Sequence, residues 1–334
     1  MSSATRRGRA VTIAAVGSVA LLAACGSSTS GTSSSSAAGS SSGSAAAGAL
    51  PKTLVFSPLS LAPPALKGLS EGVKGYAGSK GWQVLVQDPN FDATKQTQQL
   101  NEVLDSGRAG AAWVIAVAPK SMAGILKAAQ SKKIPILVNG RPDEYGYSGA
   151  QPGITFDYID YAAGGKALGE QMGTCLNQKH GGTGKVLFGV STPGQAGKQE
   201  FEAAATSALK ATAPGATVVQ SIPIADRAKG QTDIGNALQG TPDLAGVMSS
   251  TDEAALGAIG AFAAGGKTLA CNVDFGGNDE VLNNVKSGKM YASVALQFQA
   301  DMAQSFDTLA RMQADPTAKG QILTVPQKVV TSNG

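Results

Sequence analysis

A single histidine, three cysteines and an aromatic share of 5% set the first limits on this 334-residue chain. His180 stands alone in a Lys-His-Gly-Gly turn. A Ser-His-Asp or Cys-His mechanism would have to pass through that one loop residue. Two thiols besides Cys25, with one distant imidazole, do not make a metal-ligand set. Charge is scarce too, with Asp, Glu, Lys and Arg together at 15%. Residues 1–24 carry Arg6, Arg7 and Arg9 and no acid, and beyond them 24 basic side chains face 23 acidic ones. So even a balance offers no clustered basic face for nucleic acid. The run Gly181-Gly182-Thr183-Gly184-Lys185 has the look of a phosphate loop, but Val186 stands where Ser or Thr should follow the Lys. It also precedes a strand instead of joining strand to helix, and it reads as a glycine-rich turn.

What is present begins with an address. After the three Arg, an apolar run from Ala10 to Ala24 is too short to span a bilayer as a stable helix and reads as an export signal over residues 1–24. The small pair Ala23-Ala24 ahead of Cys25 resembles the lipobox of bacterial lipoproteins, in which cleavage leaves the Cys as a lipid-modified N-terminus. The expectation is a protein held on the extracytoplasmic side of the cell membrane by a lipid anchor at Cys25. Residues 25–50 are almost wholly Ser, Gly, Ala and Thr, too poor in large apolar groups to offset the entropy of ordering. A tether of that composition has an r.m.s. span of about 25–30 Å.

Residues 51–334 suffice for two medium domains with real cores. Short Val/Ile/Leu-rich runs predict strands at 53–56, 83–87, 112–116, 134–138, 185–190, 217–222, 246–249, 273–275 and 291–295. Helical patterns fall between them, at 66–80, 94–106, 121–131, 161–177, 199–212, 229–239, 252–264 and 279–287. Strands without clean alternation, interleaved with helices, imply an α/β fold with parallel, doubly wound sheets. The pattern runs four times up to Val138, passes an irregular stretch (139–158) and begins again. Two lobes joined by a three-segment hinge follow: 51–155 plus 298–325, and 156–297 plus 326–334. Crossings are expected near 154–160, 297–301 and 325–333. A cleft between the carboxyl ends of two such sheets is where ligands bind, and few linking segments allow hinge closure.

Several segments then carry a family resemblance. They are Ile134-Pro135-Ile136-Leu137-Val138-Asn139-Gly140-Arg141, Ala163-Gly164-Gly165-Lys166-Ala167-Leu168-Gly169 and Asp226-Arg227-Ala228-Lys229-Gly230. To these add Ser250-Thr251-Asp252-Glu253-Ala254-Ala255-Leu256-Gly257-Ala258 and Val285-Lys286-Ser287-Gly288-Lys289-Met290-Tyr291-Ala292. In order and spacing, residues 53–333 resemble the ribose-binding-protein family of solute receptors of ABC importers, whose fold is of the type I periplasmic-binding-protein kind. The resemblance implies a solute-binding protein, not an enzyme, with no cofactor. It would hand a small polar solute, a sugar or polyol before others, to an ABC permease.

Departures bear on the ligand. Where the family stacks two Phe on a sugar ring this chain has Ala65 and Leu66, and a third stacking aromatic becomes Ala225. The sugar-gripping Asp residues become Gly140 and Gly276, the second-lobe Arg becomes Lys198, and the hinge Gln is displaced by one to Gln297. Candidate ligand contacts are Ser57, Asn139, Arg141, Lys198, Asp226, Thr251, Asp252, Asp274 and Gln297, with Gln195 and Asn278 as further polar groups. Asp252 could instead cap its helix, and Arg141 could form a surface salt bridge. Phe91, Phe156, Tyr158 and Phe298 are candidate aromatic walls, and Trp113 is assigned to the core. Outside the cytoplasm Cys175 and Cys271 could form a disulfide, since a helix end and a strand start meet at one edge of a doubly wound sheet. A carboxylated solute held by Arg141 and Lys198, a sensor docking on a signalling protein, and an extracytoplasmic hydrolase using Asp274 or Asp252 remain as alternatives.

Overall fold

The computed structural model describes residues 50–224, 226–315 and 317–332. The export signal, Cys25 and nearly all of the tether lie outside the described residues, as does Ala225.

Two six-stranded sheets organise the chain. The first has the order β11-β5-β4-β3-β1-β2. Its strands are β1 (Thr53–Ser57), β2 (Gln83–Val86), β3 (Ala111–Val114), β4 (Ile136–Asn139), β5 (Ile154–Tyr158) and β11 (Ile322–Thr324). All are parallel. The second has the order β12-β10-β9-β8-β6-β7. It is built from β6 (Thr183–Val190), β7 (Gly215–Pro223), β8 (Leu244–Ser249), β9 (Cys271–Gly276), β10 (Ala292–Leu296) and β12 (Gln327–Thr331). Only β12 runs antiparallel to its neighbour. The sheets are the cores of two lobes, and the chain passes between them after Tyr158, after Leu296 and after Thr324. The first passage follows β5, which pairs with β4 through Ile136↔Ile154 to Asn139↔Asp157. Residues 156–158, read from sequence as second-lobe, therefore sit in the first sheet.

Helices cover both faces of each sheet, which is why the central strands are largely apolar. In β3 all four residues are buried, and the Phe56 ring meets Trp113 edge-on. Each such fully buried side chain contributes roughly 1.5–3 kcal/mol. Around the first sheet lie α1 (Pro64–Ser79), α2 (Ala93–Asp105), α3 (Ala123–Ser131) and α9 (Phe298–Ala314). Around the second lie α4 (Tyr161–His180), α5 (Lys198–Thr212), α6 (Arg227–Gly240), α7 (Asp252–Ala264) and α8 (Asp279–Lys286). Starts are set by side-chain caps: Asp92 accepts from the Thr94 and Lys95 amides at 2.8 and 2.9 Å. Asp160, Asp226, Thr251 and Asn278 do the same for α4, α6, α7 and α8.

The Gly-Gly-Lys-Ala-Leu-Gly run of α4 lets two helices touch backbone to backbone. A Cβ on Gly165 or Gly169 would fall 2.2 Å from the Phe201 carbonyl oxygen or 2.1 Å from that of Ala205, both on α5. At the far edge of the second lobe Cys175 of α4 and Cys271 of β9 form a disulfide, with Cα atoms 5.7 Å apart.

Candidate functional site

Parallel strands place all their carboxyl ends on one edge, and in the second lobe that edge opens into a cleft of about 540 Å³. Its floor and walls come from the residues that follow β6, β8, β9 and β10: Ser191, Gln195, Ser250, Thr251, Asp252, Gly276, Gly277, Asn278 and Leu296. Ile159, Tyr161 and Phe298, from the hinge segments, complete it together with Phe275. Ser191 and Ser250 share a hydrogen bond between their hydroxyls at 3.0 Å. Thr251 spends its hydroxyl oxygen on the Ala254 amide, 3.3 Å away. Asn278 uses Oδ1 to cap α8, which leaves its amide nitrogen uncommitted, as is the side-chain amide of Gln195. The cleft thus offers uncharged donors and acceptors beside apolar walls. Phe298, 53% exposed, presents an open ring face.

Among the described residues, Asp252 is the one carboxylate lining the cleft. Its Oδ1 accepts from the backbone amides of Gly277 at 2.7 Å and Asn278 at 3.1 Å, so it ties the start of α7 to the turn after β9. The helix-capping role weighed for Asp252 belongs instead to Thr251, the residue expected to be left free, because Thr251 is the last extended residue before α7. Asp252 holds the turn after β9 and lines the cleft. Asp274 is fully buried in β9, below the cleft. Burial, and next the carboxylate of Asp252, push its carboxyl well above the usual range.

Of the other residues expected at the site, most are spent on structure. Ser57 is buried and accepts from Gln96 Nε2 at 3.1 Å. Asn139 accepts from Trp113 Nε1 at 2.7 Å and donates to Asp157 Oδ2 at 3.0 Å. Asp226 caps α6 through the Lys229 amide. Gln297 donates to the Ala295 carbonyl and lies in the second hinge segment. Lys198 is paired with Glu202, one turn along α5. Arg141 forms a two-pronged pair with Glu200 of the other lobe, at 2.9 and 2.7 Å, and lies over the Tyr158 ring. Glu200 thereby raises the guanidinium pKa. Phe156 is core and Phe91 is 53% exposed at the tip of the loop after β2. Leu66 is half-buried on α1; the side chain of Ala65 lies outside what is described.

The two glycines expected from the resemblance to replace sugar-gripping carboxylates are each crowded by a carboxylate from a neighbouring element. A Cβ on Gly140 would fall 2.5 Å from Glu144 Oε2, and one on Gly276 would fall 2.6 Å from Asp252 Oδ1 and Oδ2. Glu144 is raised in pKa, by burial first and by Asp143 second. Ser191 and Ser250 were missed in the sequence, although each directly follows a strand, the position at which a doubly wound sheet presents its site.

With that geometry in view, comparison with known proteins is informative. The family model described as periplasmic binding protein domain matches residues 55–316. The ribose import binding protein of Bacillus subtilis (strain 168) is 27% identical over 249 residues, covering 73% of this chain and 76% of its own. That of Haemophilus influenzae is 27% identical over 271 residues, 80% of this chain and 86% of its own. Among solved structures, a periplasmic solute-binding protein of Actinobacillus succinogenes with bound D-allose superposes with a TM-score of 0.69 at 17% identity, covering 85% of this chain and 98% of that one. The Caulobacter myo-inositol binding protein gives 0.66 at 19%, over 86% and 96%. At these identities the structures speak for the fold. The family match, spanning more than three quarters of the chain, places this protein in the periplasmic binding protein domain family.

Proposed function

We propose that this protein is an extracytoplasmic receptor that captures a neutral polyhydroxylated solute, a sugar or polyol, between its lobes and delivers it to an ABC-type permease. Binding is the activity, and closure is driven by contacts that the solute makes to both lobes at once. The observation that carries the choice of solute is the neutralisation of both candidate cations. Arg141 is held by Glu200 and Lys198 by Glu202, so among the described residues no free positive charge lines the cleft to favour a carboxylated compound. What does face it is an uncharged set, Gln195, Asn278 and the serine hydroxyls, with Asp252 to accept from hydroxyls and Phe298 to cover a ring face. The ribose import binding proteins among its relatives support the same class.

We further infer that the chain is anchored by lipid at Cys25, since the apolar run stops there and the tether begins. Cys25→Ala should release the protein from the membrane fraction and abolish fatty-acid labelling. Retention of both would remove the anchor from the account. The solute class is tested by thermal unfolding of the protein with ribose, D-allose, myo-inositol, glycerol and a matched set of sugar acids. A ligand at 100 times its Kd adds about 2.7 kcal/mol, a shift on the order of 5–10 °C. Stabilisation by acids alone would sink the neutral-solute reading.

A further inference from the structure

Asp274 sits at the middle of a row of polar side chains on adjacent strands, in register with Ser249 of β8 and Ser293 of β10. All three are fully buried. Among the described residues, neither carboxylate oxygen of Asp274 nor the hydroxyls of Ser249 and Ser293 have a partner in good hydrogen-bond geometry, while the Asp252 carboxyl adjoins Asp274 and the Ser293 hydroxyl and Gly277 amide lie close enough to temper its charge. No cation reaches it. The charged groups on the helices over this face are Asp252 and Glu253 of α7 and Asp279, Glu280 and Lys286 of α8, with Arg227 at the start of α6. Arg227 is fully engaged, bound to Glu253 at 3.0 Å and to Glu280 at 2.8 and 3.0 Å. Lys286 is in the last turn of α8, at the end away from Asp279, and forms no ion pair with Asp274.

An isolated carboxylate in such surroundings takes up a proton rather than stay charged. Two carboxyl groups in contact then hold one proton between them. We propose that Asp274 is a protonated positioning residue whose carboxyl O–H donates to the carboxylate of Asp252, completing with the Gly277 and Asn278 amides a three-donor cradle that fixes the cleft floor. Asp252 is thereby oriented as an acceptor, and the Gly276–Asn278 turn is held in place beside the ligand. The consequence for recognition rests on the receptor reading above; the shared proton does not.

Three readouts test this on the whole protein. The infrared difference between wild type and Asp274→Asn at neutral pH should contain the C=O band of a protonated carboxyl, lost in the variant. Amide exchange at Gly277 and Asn278 should be at least ten-fold faster in Asp274→Ala, and near the wild-type rate in Asp274→Asn, whose amide donates to Asp252 without titrating. With ribose, D-allose and myo-inositol as probes, Asp274→Ala should weaken any measured binding by ten-fold or more, and Asp274→Asn should restore most of it. Absence of the band, or unchanged exchange in Asp274→Ala, overturns the proposal. If none of the probes binds wild type, the receptor reading fails on its own, and the band and the exchange rates still decide Asp274.

Discussion

A glycine where the family resemblance led one to expect a sugar-gripping Asp invites the inference that a function has been lost, but another carboxylate fills the surroundings of Gly276. The Asp252 carboxylate occupies the volume beside it, with both oxygens within 2.6 Å of any added Cβ. Gly276→Ala should therefore destabilise the protein by about 1–3 kcal/mol, through overpacking against a group already committed to two amides. Urea unfolding of the variant checks this, and an unchanged midpoint would mean that the carboxylate can step aside at no cost. At this scale the sequence was informative about position and less so about partnership. Thr251 and Asp252 were legible because they follow a strand and open a helix. Arg141 was placed correctly after β4, but its partner Glu200 lies 59 positions along the chain. No local pattern joins them, and the open choice between ligand and salt bridge resolves only when the lobes are brought together.

Among elements, those that the sequence hid share a physical character. The strand β5 (Ile-Thr-Phe-Asp-Tyr) carries a buried Asp and follows a long irregular turn. β11 has three residues, and β12 is an edge strand with one antiparallel neighbour. None has the continuous apolar run that identifies a covered central strand, and β11 and β12 pair with strands that are not their neighbours in sequence. The helix α9 mixes polar and apolar residues so evenly that its buried face holds Asp301, Ser305 and Thr308 beside Phe306, Leu309 and Met312. By contrast α4 and β9 were both expected, and the disulfide between them closes a loop of 96 residues. Constraining a loop that long in the unfolded chain is worth about 2–4 kcal/mol. Reduction, or the double change Cys175→Ala with Cys271→Ala, should lower Tm by roughly 5–15 °C. Identical melting with and without reductant would show that the bridge does not constrain the chain in solution.

Over the whole molecule, the question is what sets the balance between lobes. The Arg141–Glu200 pair spans them, but with side chains 35% and 46% exposed it is worth at most about 1 kcal/mol. Glu200→Ala should shift the unliganded protein toward open forms by no more than about five-fold, seen as a small rise in the radius of gyration by X-ray scattering. A large opening would make that pair the dominant clasp. The hinge itself holds a second carboxyl pair, with Asp157 at the end of β5 and Asp301 in the first turn of α9, on either side of the crossings. Asp157 is pushed up to about 8, by burial first and by Asp301 second, while Asn139 and Ser305 oppose the rise. Asp301 is raised by its own burial, opposed by Gln304 and by the hydrogen bond to Asp157. The pair therefore holds a proton between the two carboxyls, and the raised Asp157 is the group through which it titrates. Because an unfolded Asp titrates near 3.9, the folded protein binds the extra proton between about pH 4 and pH 8. The pair's contribution is whole below about pH 4 and is lost as pH rises through about 8. Asp157→Asn keeps the acceptor and supplies a donor that does not titrate. It should flatten that slope and leave the variant more stable than wild type above pH 8, by on the order of 1–3 kcal/mol. Thermal unfolding of both proteins from pH 5 to 9 measures it. Parallel profiles would mean that the hinge pair is ionised in the folded state and that its charge is compensated by solvent.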